Sequence, residues 1–137
     1  MEFTINFDSI NLLAVFTATL AANLLGGIWY APFVLGKPWR AAAGITATDS
    51  MSNPAATFTA GFALQFIAAS LLAALLGPTG NILEGVQLGA LLSFAFVFTA
   101  LSISNLFEHR PVQLILINAG FHLVSLSLMG AIIGAWR

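Results

Sequence analysis

The 137-residue chain contains no cysteine, which excludes disulfides, thiolate metal sites and cysteine nucleophiles. Charge is nearly as scarce. Four Lys or Arg and five Asp or Glu make up 7% of the residues, where an ordinary soluble domain carries about 25%. A soluble domain of this size leaves roughly a third of its unfolded surface in water, and so few charges cannot cover it. A bilayer removes that demand. The net charge is −1 with no basic cluster, which argues against nucleic acid as a partner. The start, Met1-Glu2-Phe3-Thr4, lacks the basic region of a signal peptide, and the first apolar stretch is expected to be retained. Catalytic signatures are missing as well: no Gly-x-Ser-x-Gly, no His-Glu-x-x-His, no phosphate loop and no dinucleotide fingerprint. Glu84 and Glu108 fall at opposite membrane faces and cannot act as a pair. Nothing supports a standard enzyme, and no cofactor or metal is expected, since a metal site needs three or four ligands and His109 and His122 stand about half a span apart.

What the chain has in excess is apolar residues, 59% of the total. They fall in four runs, at about 8–31, 54–76, 83–107 and 111–136, each long enough for the roughly 20 residues a helical crossing takes. None alternates with period two, and each is too long for a barrel strand. A helix satisfies its own backbone in lipid. The expectation is one all-α polytopic domain over residues 1–137: four transmembrane helices as two hairpins, with a short interfacial helix in the loop 32–53 between the first and second.

End signals accompany these runs. Asp8 and Ser9 are candidate caps for the first helix. Asn53-Pro54 opens the second, Asn81 and Glu84 spell a capping box for the third, and Pro111 suits the first turn of the fourth. Gly77-Pro78-Thr79-Gly80 reads as a tight turn. In the long loop, 33–43 reads as partly helical and interfacial, and Ala47 to Asn53 as irregular. Lys37, Arg40 and Arg110 lie in the two hairpin loops, and Arg137 alone lies on the other side. That bias puts both hairpin loops in the cytoplasm and both termini outside it. Trp29, Tyr30 and Trp39 would then anchor the inner interface and Trp136 the outer one.

Polar residues inside the spans are few, and a rise of about 1.5 Å per residue gives their depth. Counted from Tyr30, Pro54, Glu108 and Pro111, residues Asn23, Ser102 and Asn118 lie roughly 10 Å deep, and Gln65 and His122 roughly 16 Å deep, near the midplane. Asn118, His122 and Ser125 share one helical face, which should turn toward protein or water and away from lipid. Together Asn23, Gln65, Ser102, Asn118, His122 and Ser125 form an expected polar interior. His122 is there either a proton carrier or ligand contact, or a neutral imidazole bridging helices. At the cytoplasmic interface the candidates are Trp29, Tyr30, Lys37, Trp39, Arg40, Asn105, Glu108, His109 and Arg110. The last three crowd charge into one short turn that either binds an anion or headgroup or simply stops the hairpin from crossing. Gly85-x-x-x-Gly89 and Gly130-x-x-x-Gly134, with Ala22 and Gly26, are small-xxx-small patterns that permit close helix contact.

Several of these residues belong to longer motifs. Gly27-Ile28-Trp29-Tyr30-Ala31-Pro32 followed by Leu35-Gly36-Lys37-Pro38-Trp39, then Ser104-Asn105-Leu106-Phe107-Glu108-His109-Arg110-Pro111, then Leu116 to His122 and the ending Gly130 to Arg137, resemble the bacterial and fungal family called domain of unknown function 1761. The resemblance covers nearly the whole chain apart from Thr46 to Asn53. It implies a small four-helix membrane protein and brings no activity with it. It marks Trp29, Lys37, Asn105, Glu108, Arg110, Asn118 and His122 as motif positions. The sequence therefore points to a non-catalytic module of the inner membrane, with lipids as neighbours and either its own copies or a larger membrane complex as partner. The alternative is a small-molecule or ion transporter or channel organised around His122, and the weakest reading is a lipid-modifying enzyme at the Glu108–Arg110 turn.

Overall fold

The computed structural model describes residues 4–46 and 51–136. Among them the elements are helical: α1, Leu12–Trp29; α2, Lys37–Ala43, entered through a π-helical turn at Pro32–Gly36; α3, Pro54–Leu76; α4, Ile82–Phe107, with a π-helical segment at Ser93–Phe98; and α5, Val112–Ala135. Four of these, α1, α3, α4 and α5, are long and apolar enough to cross a membrane. Arg137 and most of the stretch expected to be irregular, 47–50, lie outside the described residues.

Helix starts follow local chemistry. Asn53 Oδ1 accepts from the Ala56 N–H at 3.1 Å. At Asn81 both arms of the capping box are made: its side chain accepts from Glu84 N–H at 3.0 Å, and the Glu84 carboxylate accepts from Asn81 N–H at 3.1 Å. The start of α1 departs from expectation. Asn11 is the cap, accepting from the N–H groups of Leu13 and Ala14, and Asp8 and Ser9 lie in the turn before it. Asparagine caps as well as aspartate or serine, and Asn11 is the cap-forming residue adjacent to the first core positions, Ala14 and Val15.

The bundle is built on α5. It packs against each of the other four helices, and 39% of its membrane window is buried, against 11% for the peripheral α4. A Cβ on Gly85 would land on the Gly130 carbonyl, one on Gly89 on the Leu126 carbonyl, and one on Gly134 on the Asn81 carbonyl. This series descends α5 as it climbs α4, so the two run antiparallel with their backbones touching. α1 also runs antiparallel to α5: Asn11 Nδ2 donates to the Trp136 carbonyl at 3.4 Å, and at the other end Trp29 Nε1 donates to the Ile117 carbonyl at 3.0 Å. α1 meets α3 where Phe16 sits edge-on to Phe62 at 5.8 Å. The Asn6 N–H ties the N-terminal segment to the Ala74 carbonyl at 3.1 Å.

These pairings define two ends. The basic end carries Trp29, Lys37, Arg40 and Arg110; the turn end carries Asn11, Gly77 to Gly80 and Trp136. The core lies toward the turn end, where Val15, Ala18 and Ala22 of α1 meet Ala69, Leu72 and Ala73 of α3 and Met129 and Ile133 of α5. The many alanines let three helices close together without hydrophobic drive between them, by van der Waals contact alone. Toward the basic end α3 loses its partners, and residues 51–60 are exposed throughout.

The glycine contact predicts a sharp contrast. Gly85→Ala forces backbone apart and should cost about 1–3 kcal/mol, the usual penalty for overpacking. Gly27→Ala and Gly61→Ala meet open space and should be neutral or gain up to about 1 kcal/mol from helix propensity. Thermal unfolding in mild detergent reads the difference, and equal effects at the three positions would contradict the contact.

Candidate functional site

Polar and aromatic groups gather at the basic end around α5. Trp29, the last residue of α1, turns its indole onto α5, where the ring lies 3.2 Å from the position a Cβ on Gly120 would take. Tyr30, the cap of α1, donates from its hydroxyl to Asn118 Oδ1 at 2.7 Å. Phe121 fills the space between them, 6.3 Å from the Trp29 ring and 5.4 Å from the Tyr30 ring. Phe121 also reaches α1 at Gly26, where its ring lies at van der Waals distance, 3.5 Å from the position a Cβ would take. Trp39 of α2 closes the cluster, edge-on to Tyr30 at 5.1 Å. The π-helical turn brings α2 there: the Gly36 N–H donates to the Ala31 carbonyl at 2.9 Å, and a Cβ on Gly36 would collide with the backbone of Tyr30 and Ala31. Trp29 and Tyr30 are therefore half-buried cross-helix connectors, each bonded to α5. Motif spacing alone could not show this, because the partners lie 88 residues away.

The six expected interior residues are distributed along four helices, with Ser102 on α4. Asn23 is half-buried and donates to its own helix, at the Thr19 carbonyl, at 2.8 Å. His122 lies on the α5 stripe of Ser125 and Met129, half-buried, with its ring edge-on to Phe121 at 5.2 Å. Among the described residues it has no hydrogen-bond partner. Ser125 is 1% exposed and its hydroxyl is unpaired. Gln65 is half-buried one turn before Ala69 on the core stripe of α3. It is not level with His122. Gln65 lies beyond Phe62, which meets Phe16, whereas His122 follows Phe121, which meets Gly26. Ten residues of α1 separate those contacts, roughly 15 Å of rise. Counting from Pro54 and Pro111 misplaced the two because those prolines do not mark one plane.

The turn between α4 and α5 holds the remaining candidates. Its backbone closes α4 with paired bonds: the Arg110 N–H reaches the Asn105 carbonyl at 2.8 Å and the His109 N–H the Leu106 carbonyl at 3.2 Å. His109 carries the left-handed conformation that this cap requires, φ 57°, where glycine is usual. Arg110 and Glu108 form an exposed ion pair at 3.3 Å, worth little in such a setting. Lys37 is exposed, and Arg40 donates to the Thr46 carbonyl at 3.1 Å. Asn105, expected at the cytoplasmic interface, lies one turn before the end of α4. It is 8% exposed, and its amide nitrogen has no partner. Ser102, one turn deeper, likewise has a buried, unpaired hydroxyl.

Two crevices flank the bundle. One of about 500 Å³ opens at the turn end between Leu75, Leu76 and Thr79 on one side and Gln87, Leu88 and Leu91 of α4 on the other. A narrower one of about 210 Å³ lies between Ser93, Phe94 and Phe98 of α4 and Leu116, Ala119 and Leu123 of α5.

The family described as "Protein of unknown function (DUF1761)" matches residues 13–134, from the first turn of α1 to the last of α5, and the chain belongs to it. No curated protein and no solved structure matches.

Removing the Tyr30 hydroxyl strands Asn118. We expect Tyr30→Phe to cost about 1–3 kcal/mol, the range for leaving a buried polar group unpaired. Asn118→Leu in the Tyr30→Phe background should add much less than it does alone. A double-mutant cycle in detergent measures the coupling, and strict additivity would show that the bond does not form.

Proposed function

We propose that this member of the DUF1761 family is a non-catalytic membrane module that works in an assembly, either of its own copies or as an accessory subunit of a larger membrane-protein complex. One observation carries the reading: the first two turns of α3 are exposed on every side, while the second half of the same helix, with Ala69, Leu72, Ala73 and Ala74, is closed into the core. A helix packed for half its length and bare for the rest has room for a neighbouring helix at the bare half.

The arrangement we propose in the bilayer is two hairpins, α1 with α3 and α4 with α5, with α2 lying along the cytoplasmic face of an inner membrane. What supports this is the common location of Lys37, Arg40 and Arg110 at one end, and positive residues favour the cytoplasmic side. Both termini then lie outside the cytoplasm.

A second reading, a small-molecule or ion carrier, is favoured by one feature only. His122 is a half-buried imidazole within a membrane-spanning helix with no bond to any described residue, and an ionisable group at that depth is a functional candidate by default. Four short helices would need a second copy to enclose a pathway.

Absence of cysteine gives a clean background for single-cysteine cross-linking. Phe58→Cys, on the bare half of α3, should cross-link to a neighbouring polypeptide in native membranes, and Leu24→Cys on α1 should not. A single-chain mass in lipid nanodiscs together with no adduct at Phe58 would sink the assembly reading. For the carrier, proteoliposome flux should fall at least tenfold in His122→Ala, on the order of one lost ligand contact; equal flux removes His122 from any pathway.

A further inference from the structure

The larger of the two crevices lies at the turn end, between α3 and α4. Leu75 and Leu76, the last residues of α3, form one wall, and Thr79 comes from the turn that joins the helices. Glu84, Gln87, Leu88 and Leu91 form the other wall. Counted from Glu84 they stand three, four and seven residues on, so they share one face of α4. The volume of about 500 Å³ falls among those of small-molecule sites, about 300–1,000 Å³. From the start of α4 at Ile82 to Leu91 the helix rises about 14 Å. Half the hydrocarbon thickness of a bilayer is about 15 Å, so the crevice runs the depth of one leaflet.

Its polar groups are accessible and unsatisfied. Thr79, Glu84 and Gln87 are all exposed and all line the crevice. The Glu84 carboxylate spends Oε2 on the Asn81 N–H, and its other oxygen has no bond among the described residues. No Lys or Arg lines the crevice, and the described cations Lys37, Arg40 and Arg110 all stand at the basic end. Gln87 lies about one turn deeper, inside a membrane-spanning helix, with no bond from its amide to any described residue. A polar side chain at such a place needs a partner, since hydrocarbon supplies none. Deeper still, Leu88 and Leu91 are apolar. Going inward, the order is hydroxyl and carboxylate, then amide, then leucine. One carboxylate is too few for a metal ion, and no group of three candidate ligands occurs among the described residues.

We propose that the α3–α4 crevice binds one diacyl phospholipid with a primary ammonium headgroup, the ammonium donating to Glu84, an ester carbonyl accepting from the Gln87 amide, and one acyl chain lying on Leu88 and Leu91. The crevice presents these groups in the order in which the lipid carries them. A primary ammonium brings both the missing charge and three N–H donors, and a hydrogen bond between two charged groups is about twice as strong as a neutral one. A quaternary ammonium has no N–H to donate, and a headgroup without a cation leaves Glu84 facing the negative phosphate. The site depends neither on assembly with other chains nor on which side of the membrane the turn end faces.

The test uses the full-length protein, stripped of lipid in mild detergent, with dioleoyl phosphatidylethanolamine, phosphatidylcholine and phosphatidylglycerol offered separately. Native mass spectrometry should show the ethanolamine lipid retained about tenfold better than the glycerol lipid, the effect of one charge-assisted contact. Glu84→Gln removes the charge but keeps an oxygen for the capping box. It should fold as the wild type does and lose the preference. Gln87→Leu should weaken all three lipids alike. Added ethanolamine lipid should raise the melting temperature of the wild type and leave that of Glu84→Gln nearly unchanged. The same lipid with a diazirine in one acyl chain should label the peptides holding Leu75 to Thr79 and Glu84 to Leu91, a readout that stands even if Glu84→Gln does not fold. Equal retention of the three lipids by the wild type, a preference unaltered in Glu84→Gln, or label spread evenly over the four long helices overturns the proposal. So does a carbodiimide cross-link from Glu84 to a lysine of another polypeptide, which would mean that a protein amine fills the crevice.

Discussion

Backbone contact between α4 and α5 governs the rest of the molecule. In a bilayer no hydrophobic drive brings helices together, because lipid tails are as apolar as leucine. A helix stays in place through close packing or through hydrogen bonds. α4 has the glycine contact at Gly85, Gly89, Gly130 and Gly134 and little else, and only 11% of its membrane window is buried. A backbone-to-backbone contact at one end also dictates what happens at the other. Two helices that touch at their glycines and carry phenylalanine and leucine further along must diverge, and the crevice beside Phe94 and Phe98 is the space that results.

α1 is held to α5 by the opposite means. The α1–α5 seam ends in side-chain bonds to backbone or amide oxygens: Asn11 to Trp136 at the turn end, Trp29 to Ile117 and Tyr30 to Asn118 at the basic end. The indole and phenol both have an apolar body and one donor, and each buries the body against Phe121 while placing the donor on α5. α5 is thus a shared wall with one face built of glycine for α4 and one of acceptors for α1. Its polar residues divide accordingly. Asn118 is bonded, whereas His122 and Ser125, further along, have no partner among the described residues.

Much of the fold was legible because it rests on local chemistry. Composition gave four membrane-length helices, and the Asn81–Glu84 box and Asn53 cap mark helix starts through residues within a single turn. The start of α1 was missed because Asp8, Ser9 and Asn11 are equivalent caps by residue type, and the choice among them depends on where core packing begins. The site was less legible. The sequence singles out Trp29, Tyr30 and Asn118, but their union spans 88 residues and depends on the register of two antiparallel helices. Depth counting placed Gln65 beside His122 because it assumed a common plane for Pro54 and Pro111. Burial of Asn105 was hidden for a different reason: it depends on a change in helical twist that no residue pattern in Ser93 to Phe98 announces.

That change of twist decides which residues α4 turns toward α5. An α-helix advances about 3.6 residues per turn, so five turns beyond Gly85 a straight continuation arrives at residue 103. Ile103 is 57% exposed, and the buried position is Asn105. Two surplus residues have been taken up on the way. The i→i+5 turns of Ser93–Phe98 take up extra residues, and the oblique crossing of a small-xxx-small contact inclines the buried stripe in the same sense. The Thr99 hydroxyl steadies the segment by donating to the carbonyls of Ala95 at 2.8 Å and Phe96 at 3.2 Å. Without the surplus, Phe96, Ile103 and Phe107 would face α5, and the seam would be apolar to its end. With it, those three are exposed, and the Ser102 hydroxyl and Asn105 amide nitrogen are buried. An unpaired amide is therefore a consequence of the wider turns, and a chain that gained nothing from it would do better with an unbroken α-helix.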